Sequence, residues 1–339
     1  MTIKRITRRN ALRLGAAGGV ATAALASRPT LLRAQEYPTR PINVVIPFET
    51  GGYNDRLARA FAPFLQQELG QPVVIVNRPG AGTMLGNMFF LQQADDGYTI
   101  MCTSSTPYIP LTILLQNAPY KAEDFWMLNL PSRDYTLAAT ATEKPIESFA
   151  QVIDQLKENP GALSLGVQPA SADYVNLMLA LDAAGIDPAA ARIVTYDGGG
   201  PARTATAGAH VDVGFVGGEG FLPLKDRIRP LLVFANERME GFEDTPAAAE
   251  FATERGLEME YVDGSQRGWV VHSTFREKHA DRYQFLLDAL ERATTNPEAV
   301  QALLAQQLAT RWYGPEESNQ AYLETFTTLE RHAQLLKGA

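Results

Sequence analysis

Residues 46–55 read IPFETGGYND. An apolar, β-branched run from Ile42 to Ile46 stops at Pro47, two glycines follow, and a helical pattern begins at Asp55, with Leu57, Phe61, Leu65 and Leu69 spaced by four. A strand that turns through glycine into a helix can hold an anion, because the first amides of a helix have no partner within it. The turn has no Lys, no G-x-G-x-x-G and no elbow serine, so it fits neither a nucleotide cradle nor a nucleophile site. Gly51 and Gly52 carry no side chain to obstruct a carboxylate, and the spacing therefore suggests an anion site made of bare main-chain amides, with no basic side chain required.

The same alternation runs outward. After the helix over 55–69, in which Pro63 is expected to cause a kink, come a strand at 72–76, a turn at 77–82, a helix at 83–93 and a strand at 98–102. A second series starts near 135. It has strands at 137–142, 163–167, 193–196, 211–216, 228–235 and 268–271, with helices at 146–157, 171–184 and 201–209 between the earlier ones. From Phe275 onward the pattern is almost wholly helical. This order predicts an α/β protein with mostly parallel sheets and helices on both faces. The glycine turns at 51–52, 80–82, 198–200 and 217–218 all follow strands, where ligands of open α/β sheets bind.

Composition narrows the function. Residues 1–34 hold seven basic residues and no acid, and Thr7-Arg8-Arg9-Asn10-Ala11-Leu12 resembles a twin-arginine export motif. The Ala- and Gly-rich stretch from Gly15 to Ala26 is too short to span a bilayer, so 1–34 is expected to be an export signal cut near Ala34. The alternative, a basic arm for nucleic acid or lipid, would not need an apolar segment directly after its arginines. The whole chain has 30 basic and 38 acidic residues, a net charge of −8; without the seven basic residues of the signal, 23 remain against 38, or −15. Such a body does not bind nucleic acid through its general field. One cysteine, Cys102, rules out an internal disulfide and reads as a buried thiol. The four histidines show no ligand spacing, so no metal and no cofactor are expected.

Four stretches together carry a family likeness: YPTRPINVVIPFETGGYND (37–55), LGQPVVIVNRPGAG (69–82), DGYTI (96–100) and YDGGGPARTATAGAHVDVGF (196–215). The chain resembles the Bug-type substrate-binding proteins of tripartite tricarboxylate transporters from about Tyr37 onward. The resemblance implies a two-domain periplasmic-binding-protein fold, type II-like, with a ligand cleft between the domains. Domain one would be 36–135 plus 265–339, and domain two 136–264. It implies a periplasmic, monomeric protein, not an enzyme, that holds a small carboxylate, di- or tricarboxylic or aromatic, for small membrane permease subunits.

Carried over by position, the first ligand set is Phe48, Gly51, Gly52 and Asp55, and the second is Tyr196, Gly198, Gly199 and Gly200. Gln168 and Ser171 fall in the turn GVQPASAD, which matches a ligand loop; Ser104 and Ser105 follow the third strand, and Gly217 stands where an Asp or Asn is frequent. Asp55 has a second reading as a cap of its helix, and Gly80, Gly82 and Arg78 read better as loop-forming residues. Tyr53, at a position usually small, and Tyr174 suggest a flat or aromatic ligand. Glu49 would repel a carboxylate if it pointed inward. Two competing readings remain at this point: a sensory protein presenting the same ligand to a sensor kinase, and an exported enzyme whose groups converge from distant segments.

Overall fold

The computed structural model describes residues 37–338, and a single compact unit begins at Arg40. The expected export signal at 1–34 lies outside the described residues. In chain order the first elements are β1 (Ile42–Ile46), α1 (Tyr53–Leu69), β2 (Val73–Asn77), α2 (Met84–Leu91), β3 (Thr99–Thr106), α3 (Tyr108–Gln116) and β4 (Phe125–Asp134). Then come β5 (Thr136–Ala141), α4 (Phe149–Glu158), β6 (Ser164–Val167), α5 (Ala172–Ala183), β7 (Arg192–Thr195), α6 (Gly199–Ala207), β8 (Val213–Gly217), β9 (Ile228–Val233), α7 (Ala248–Arg255) and β10 (Ser265–His272). The chain closes with α8 (Phe275–Lys278), α9 (Ala280–Thr295), α10 (Pro297–Leu304), α11 (Gly314–Arg331) and α12 (Ala333–Gly338).

Among the described residues ten strands form two sheets of five, ordered β2-β1-β3-β10-β4 and β7-β6-β8-β5-β9. The orders have the same form. In each, three strands lie parallel, and the fourth place is taken by a strand antiparallel to both neighbours: β10 in the first sheet, β5 in the second. Four of the five strands of each sheet therefore run the same way, with one reversed strand between them. Both antiparallel strands are entered from the other sheet. β4 ends at Asp134 and β5 starts at Thr136; β10 returns at Ser265, which pairs with Asp134. The protein thus has two lobes joined at adjacent crossings.

Each lobe has its own packing logic. β1 is apolar except at the half-buried Asn43, because helices cover both faces of a parallel sheet. The α1 stripe of Leu57, Phe61, Leu65 and Leu69 is buried, with Phe61 tilted against Trp269 of β10 at 5.0 Å. Gly70 ends α1 in the left-handed region at φ 65 and donates its amide to the Gln66 carbonyl. Pro63 leaves α1 unbroken: Pro63 and Arg59, whose carbonyl Pro63 cannot serve, both lie on the exposed face of the helix. In the second lobe Phe149 of α4 stands edge-on to Phe215, Phe234 and Phe251. Among the C-terminal helices, α9 lies against α1, α11 against β4, and α12 touches α5.

Three elements were not legible in the sequence pattern: β4, α3 and the short helix α7. β4 is nearly all buried and carries Pro131, which is tolerated because β4 is an edge strand. α3 is apolar on most sides, with Pro110 in its first turn. Cys102 is fully buried in β3, its Sγ 3.7 Å from the Asn54 carbonyl, and burial pushes its thiol well above the ordinary range.

Candidate functional site

The turn after β1 is held by Asp55. Its Oδ2 accepts the Gly51 amide at 2.8 Å; its Oδ1 accepts from Arg59 Nε at 2.9 Å and Asn77 Nδ2 at 3.0 Å. Asn77 also donates to the Phe48 carbonyl at 3.1 Å, fastening the turn to the end of β2. These bonds, against the opposing effect of burial, hold the Asp55 carboxyl below its usual value. Gly51 adopts φ 86, which only glycine takes readily, and Gly52 gives its amide to the Glu49 carbonyl at 3.3 Å. Both glycine amides are therefore engaged. The amides without a partner among the described residues are the next ones, Tyr53, Asn54 and Asp55, at the start of α1, whose N-cap Gly52 makes no side-chain bond.

A second helix start faces the same space. Gly198 caps α6 at φ 120 and donates to the Tyr196 carbonyl at 2.8 Å, while the Gly199 and Gly200 amides have no partner among the described residues. Between these helix starts lies a cleft of about 510 Å³, within the usual range for small-molecule sites. Phe48 and Tyr108 form one wall, edge to face at 5.3 Å, and Gln168 donates to the Tyr108 hydroxyl at 3.1 Å. Ser171 lines the cleft but spends its hydroxyl locally, donating to the Gln168 carbonyl and accepting the Tyr174 amide as the cap of α5.

The cleft is also charged, contrary to an anion site built without basic side chains. Asp134, Asp173, Glu219, Arg203 and Arg267 all line it. Arg267 donates to Asp134 at 3.1 Å and to Ser132 at 3.2 Å, with its guanidinium 4.5 Å from the centre of the Tyr53 ring. Burial opposes the Arg267 charge, but Asp134, Tyr53 and Glu219 outweigh it and raise its pKa. Arg203 has no carboxylate within 4 Å among the described residues and only a 3.4 Å bond to the Gly217 carbonyl. Its pKa is lowered by burial, against Asp134 and Asp173. Small residues make room for these groups: a Cβ on Gly217 would lie 2.1 Å from Asp134 Oδ2, and one on Gly220 would lie 2.3 Å from Arg203 Cζ.

Asp173 is pushed up to about 7 by burial and by Asp134, although Thr136 donates to it at 2.8 Å. Glu219 also rises to about 7, again by burial and then Asp134. Folded, these carboxyls hold a proton more tightly than in the unfolded chain. Between about pH 4 and pH 7 the native state keeps protons that the unfolded state has lost, so stability falls as pH rises through that window. Asp173→Asn removes one such term. The variant should gain on the parent as pH rises from 4 to 8, by up to about 4 kcal/mol, read by urea unfolding; an equal gap at both ends would refute this.

Of the residues expected at the site, the structure brings Phe48, Gly51, Gly52, Tyr53, Ser104, Gln168, Ser171, Gly198, Gly199, Gly200 and Gly217 to the cleft. Three do not line it. Asp55 is occupied in holding its turn. Ser105 follows Ser104 on a strand, so it points to the opposite, buried face. Tyr196 packs its ring over Gly166. Tyr174 packs against the second-lobe core, which removes it from the aromatic wall expected of it. Glu49 is exposed and outside the cleft. The charged residues were missed because they come from five separate segments. One signal was local: Arg203 falls four residues after Gly199, one turn along the same helix face.

This two-lobed fold with a polar interlobe cleft defines a solute-binding protein. The chain belongs to the tripartite tricarboxylate transporter family of receptors, whose pattern matches residues 57–337. It is therefore a receptor and not an enzyme. It is 31% identical to protein BugT of Bordetella pertussis over 237 residues, 68% of this chain and 71% of BugT. Among solved structures it is similar to a TctC solute-binding protein from Polaromonas, with TM-score 0.71 and 21% identity over 90% of this chain and 100% of that one. A Rhodopseudomonas palustris protein solved with adipate gives TM-score 0.70 and 23% identity, over 89% of this chain and 98% of that one.

Proposed function

We propose that this chain is a periplasmic protein that captures a small carboxylate between its lobes and delivers it to the membrane permease subunits of a tripartite tricarboxylate-type transporter. The observation that carries this reading is the convergence on one cleft of two helix starts, one from each lobe, with unengaged amides and the unpaired Arg203 beside them. A carboxylate lying there would accept from the Tyr53 and Asn54 amides on one side and from Gly199, Gly200 and Arg203 on the other. Each bond to a charged group contributes about 1.5–3 kcal/mol, so three or four give roughly 5–10 kcal/mol; ordering consumes part of this, and apolar contact with the Phe48–Tyr108 wall must add to it to reach micromolar affinity, about 8 kcal/mol. The adipate held by a protein of the same fold is a ligand of this kind. Residues 36–135 with 265–339, and 136–264, would then close as two bodies about the crossings near Asp134 and Ser265, and the mature chain would act as a monomer.

The test is a thermal-shift and calorimetric screen of the chain without residues 1–34, against di- and tricarboxylates, aromatic acids and amino acids. At 100 times its Kd a ligand stabilises the fold by about 2.7 kcal/mol. Arg203→Gln should weaken any hit by roughly 10- to 100-fold without changing the fold. A panel with no hit, or a variant that binds like the parent, would refute the reading.

A further inference from the structure

The charges of the cleft say more about the ligand than that it is an anion. Four acids line it, Asp134, Asp173, Asp197 and Glu219, against three arginines, Arg56, Arg203 and Arg267, so before any ligand enters the lining carries a net charge of −1 with every group ionised. Arg267 is used by Asp134. Arg56, at the rim, donates to the Gln306 carbonyl. Arg203 is the cation left for a ligand carboxylate. A dianion such as adipate would bring a second carboxylate against Asp173 and Glu219 and take the total to −3 in a space of about 510 Å³. Like charges in a low-dielectric cleft repel strongly.

Two of the acids have oxygens without a partner among the described residues. Asp173 is more than nine-tenths buried, at 7% exposure, and lines the cleft; Thr136 occupies its Oδ1, while its Oδ2 has no partner among the described residues. Glu219 donates its own amide to Asp134 Oδ1 at 3.2 Å, but its carboxylate makes no hydrogen bond among the described residues. Both carboxylates therefore keep oxygens open to the cleft, where a donor on a ligand can pair with them.

We propose that the ligand of this cleft is a zwitterion of the amino acid type, its carboxylate held by Arg203 and the helix-start amides and its ammonium held by Asp173 and Glu219. Such a ligand supplies donors to Asp173 Oδ2 and to the Glu219 carboxylate and leaves the net charge at −1. The proposal rests on the carboxylate-capture reading and adds the second charged group. It also fixes the sign of the proton linkage. Asp173 is faced by Asp134, Arg203, Arg267, the Thr136 hydroxyl and Tyr108; Glu219 is faced by Asp134, Arg267 and Tyr53. Both must be ionised to hold an ammonium, so the zwitterion binds with proton release and tightens from pH 6 to pH 8. A dicarboxylate needs them protonated, binds with proton uptake and weakens over the same range.

The experiment is calorimetry at pH 6 and pH 8, in buffers of different ionisation enthalpy, with matched ligands: adipate against 6-aminohexanoate and 2-aminoadipate, and succinate against 4-aminobutyrate and aspartate. The expected result is that an aminated ligand binds at least ten-fold more tightly than its parent diacid at pH 8, with proton release. Asp173→Asn and Glu219→Gln, singly and together, should abolish that preference while the diacid binds as well as before or better. Diacids that bind more tightly at both pH values, or variants that keep the preference for the amine, would overturn the zwitterion and leave carboxylate capture standing. A panel in which nothing binds would overturn both.

Discussion

Arg267→Ala is expected to destabilise the protein by about 3–5 kcal/mol, the usual cost of stripping one partner from a buried ion pair. The side chains of Arg267 and Asp134 are 14% and 9% exposed, so neither charge can turn to bulk water. The substitution removes the bond to Asp134, the bond to Ser132 and the guanidinium over the Tyr53 ring together. It also strips the cation from Asp134, the carboxylate that raises the proton affinity of both Asp173 and Glu219. Arg267→Lys should recover only part of the loss, because a single ammonium cannot reproduce a planar fork that reaches two acceptors and a ring. Urea unfolding at pH 7.5 and at pH 4 provides the check. The deficit should shrink in acid as the carboxylates become neutral. A deficit below about 1 kcal/mol at pH 7.5, the range of solvated surface pairs, would mean that this pair is not buried in solution.

The second large effect is expected at the crossing between the lobes. Gly264 has φ 64, and a Cβ there would lie 2.0 Å from the Asp134 carbonyl oxygen and 2.8 Å from Tyr135 Cα. Both neighbours are backbone, so no side chain can rotate away. Ala at this φ costs about 1–2 kcal/mol by itself, and relieving the overlap by shifting the β4–β5 crossing adds roughly 1–3 kcal/mol. Gly185→Ala is the control: its φ is 66, but nothing lies within 4 Å of the added atom, so only the conformational cost applies. Thermal unfolding of the two variants separates the effects. If Gly264→Ala lost no more than Gly185→Ala, the two crossings would not be in the close contact described.

What the sequence shows and what it hides divide along physical lines. The β1–turn–α1 unit was legible because its signals are local: β-branched residues, a proline stop, glycines and a spacing of four. The same holds for α4, α5 and the Gly198–Gly200 start of α6. β4 and α3 were hidden because elements buried on nearly all sides lose the alternation that marks a half-buried strand or helix. At the site, the glycines were legible as a location but not in their detail. Gly51 and Gly52 donate to Asp55 and Glu49, and the open amides begin one residue later, which depends on turn geometry that composition does not encode. Ser104 and Ser105 could have been separated in advance, since consecutive strand residues face opposite ways. Asp134, Asp173, Arg203, Glu219 and Arg267 could not have been grouped, because only the crossing topology brings their five segments together.

That topology has a consequence for biosynthesis. β5 through β9 span residues 136–233, and all five strands of the second sheet lie within them. The first sheet is interrupted: β10 is inserted between β3 and β4, and it begins only at Ser265. As the polypeptide is made from its amino terminus, β3 and β4 wait without their shared neighbour while the later-encoded lobe already has every strand it needs. The part of the protein translated first is thus the last to be finished, and a ribosome that stalled before residue 265 would release a chain with one complete sheet and one split in two.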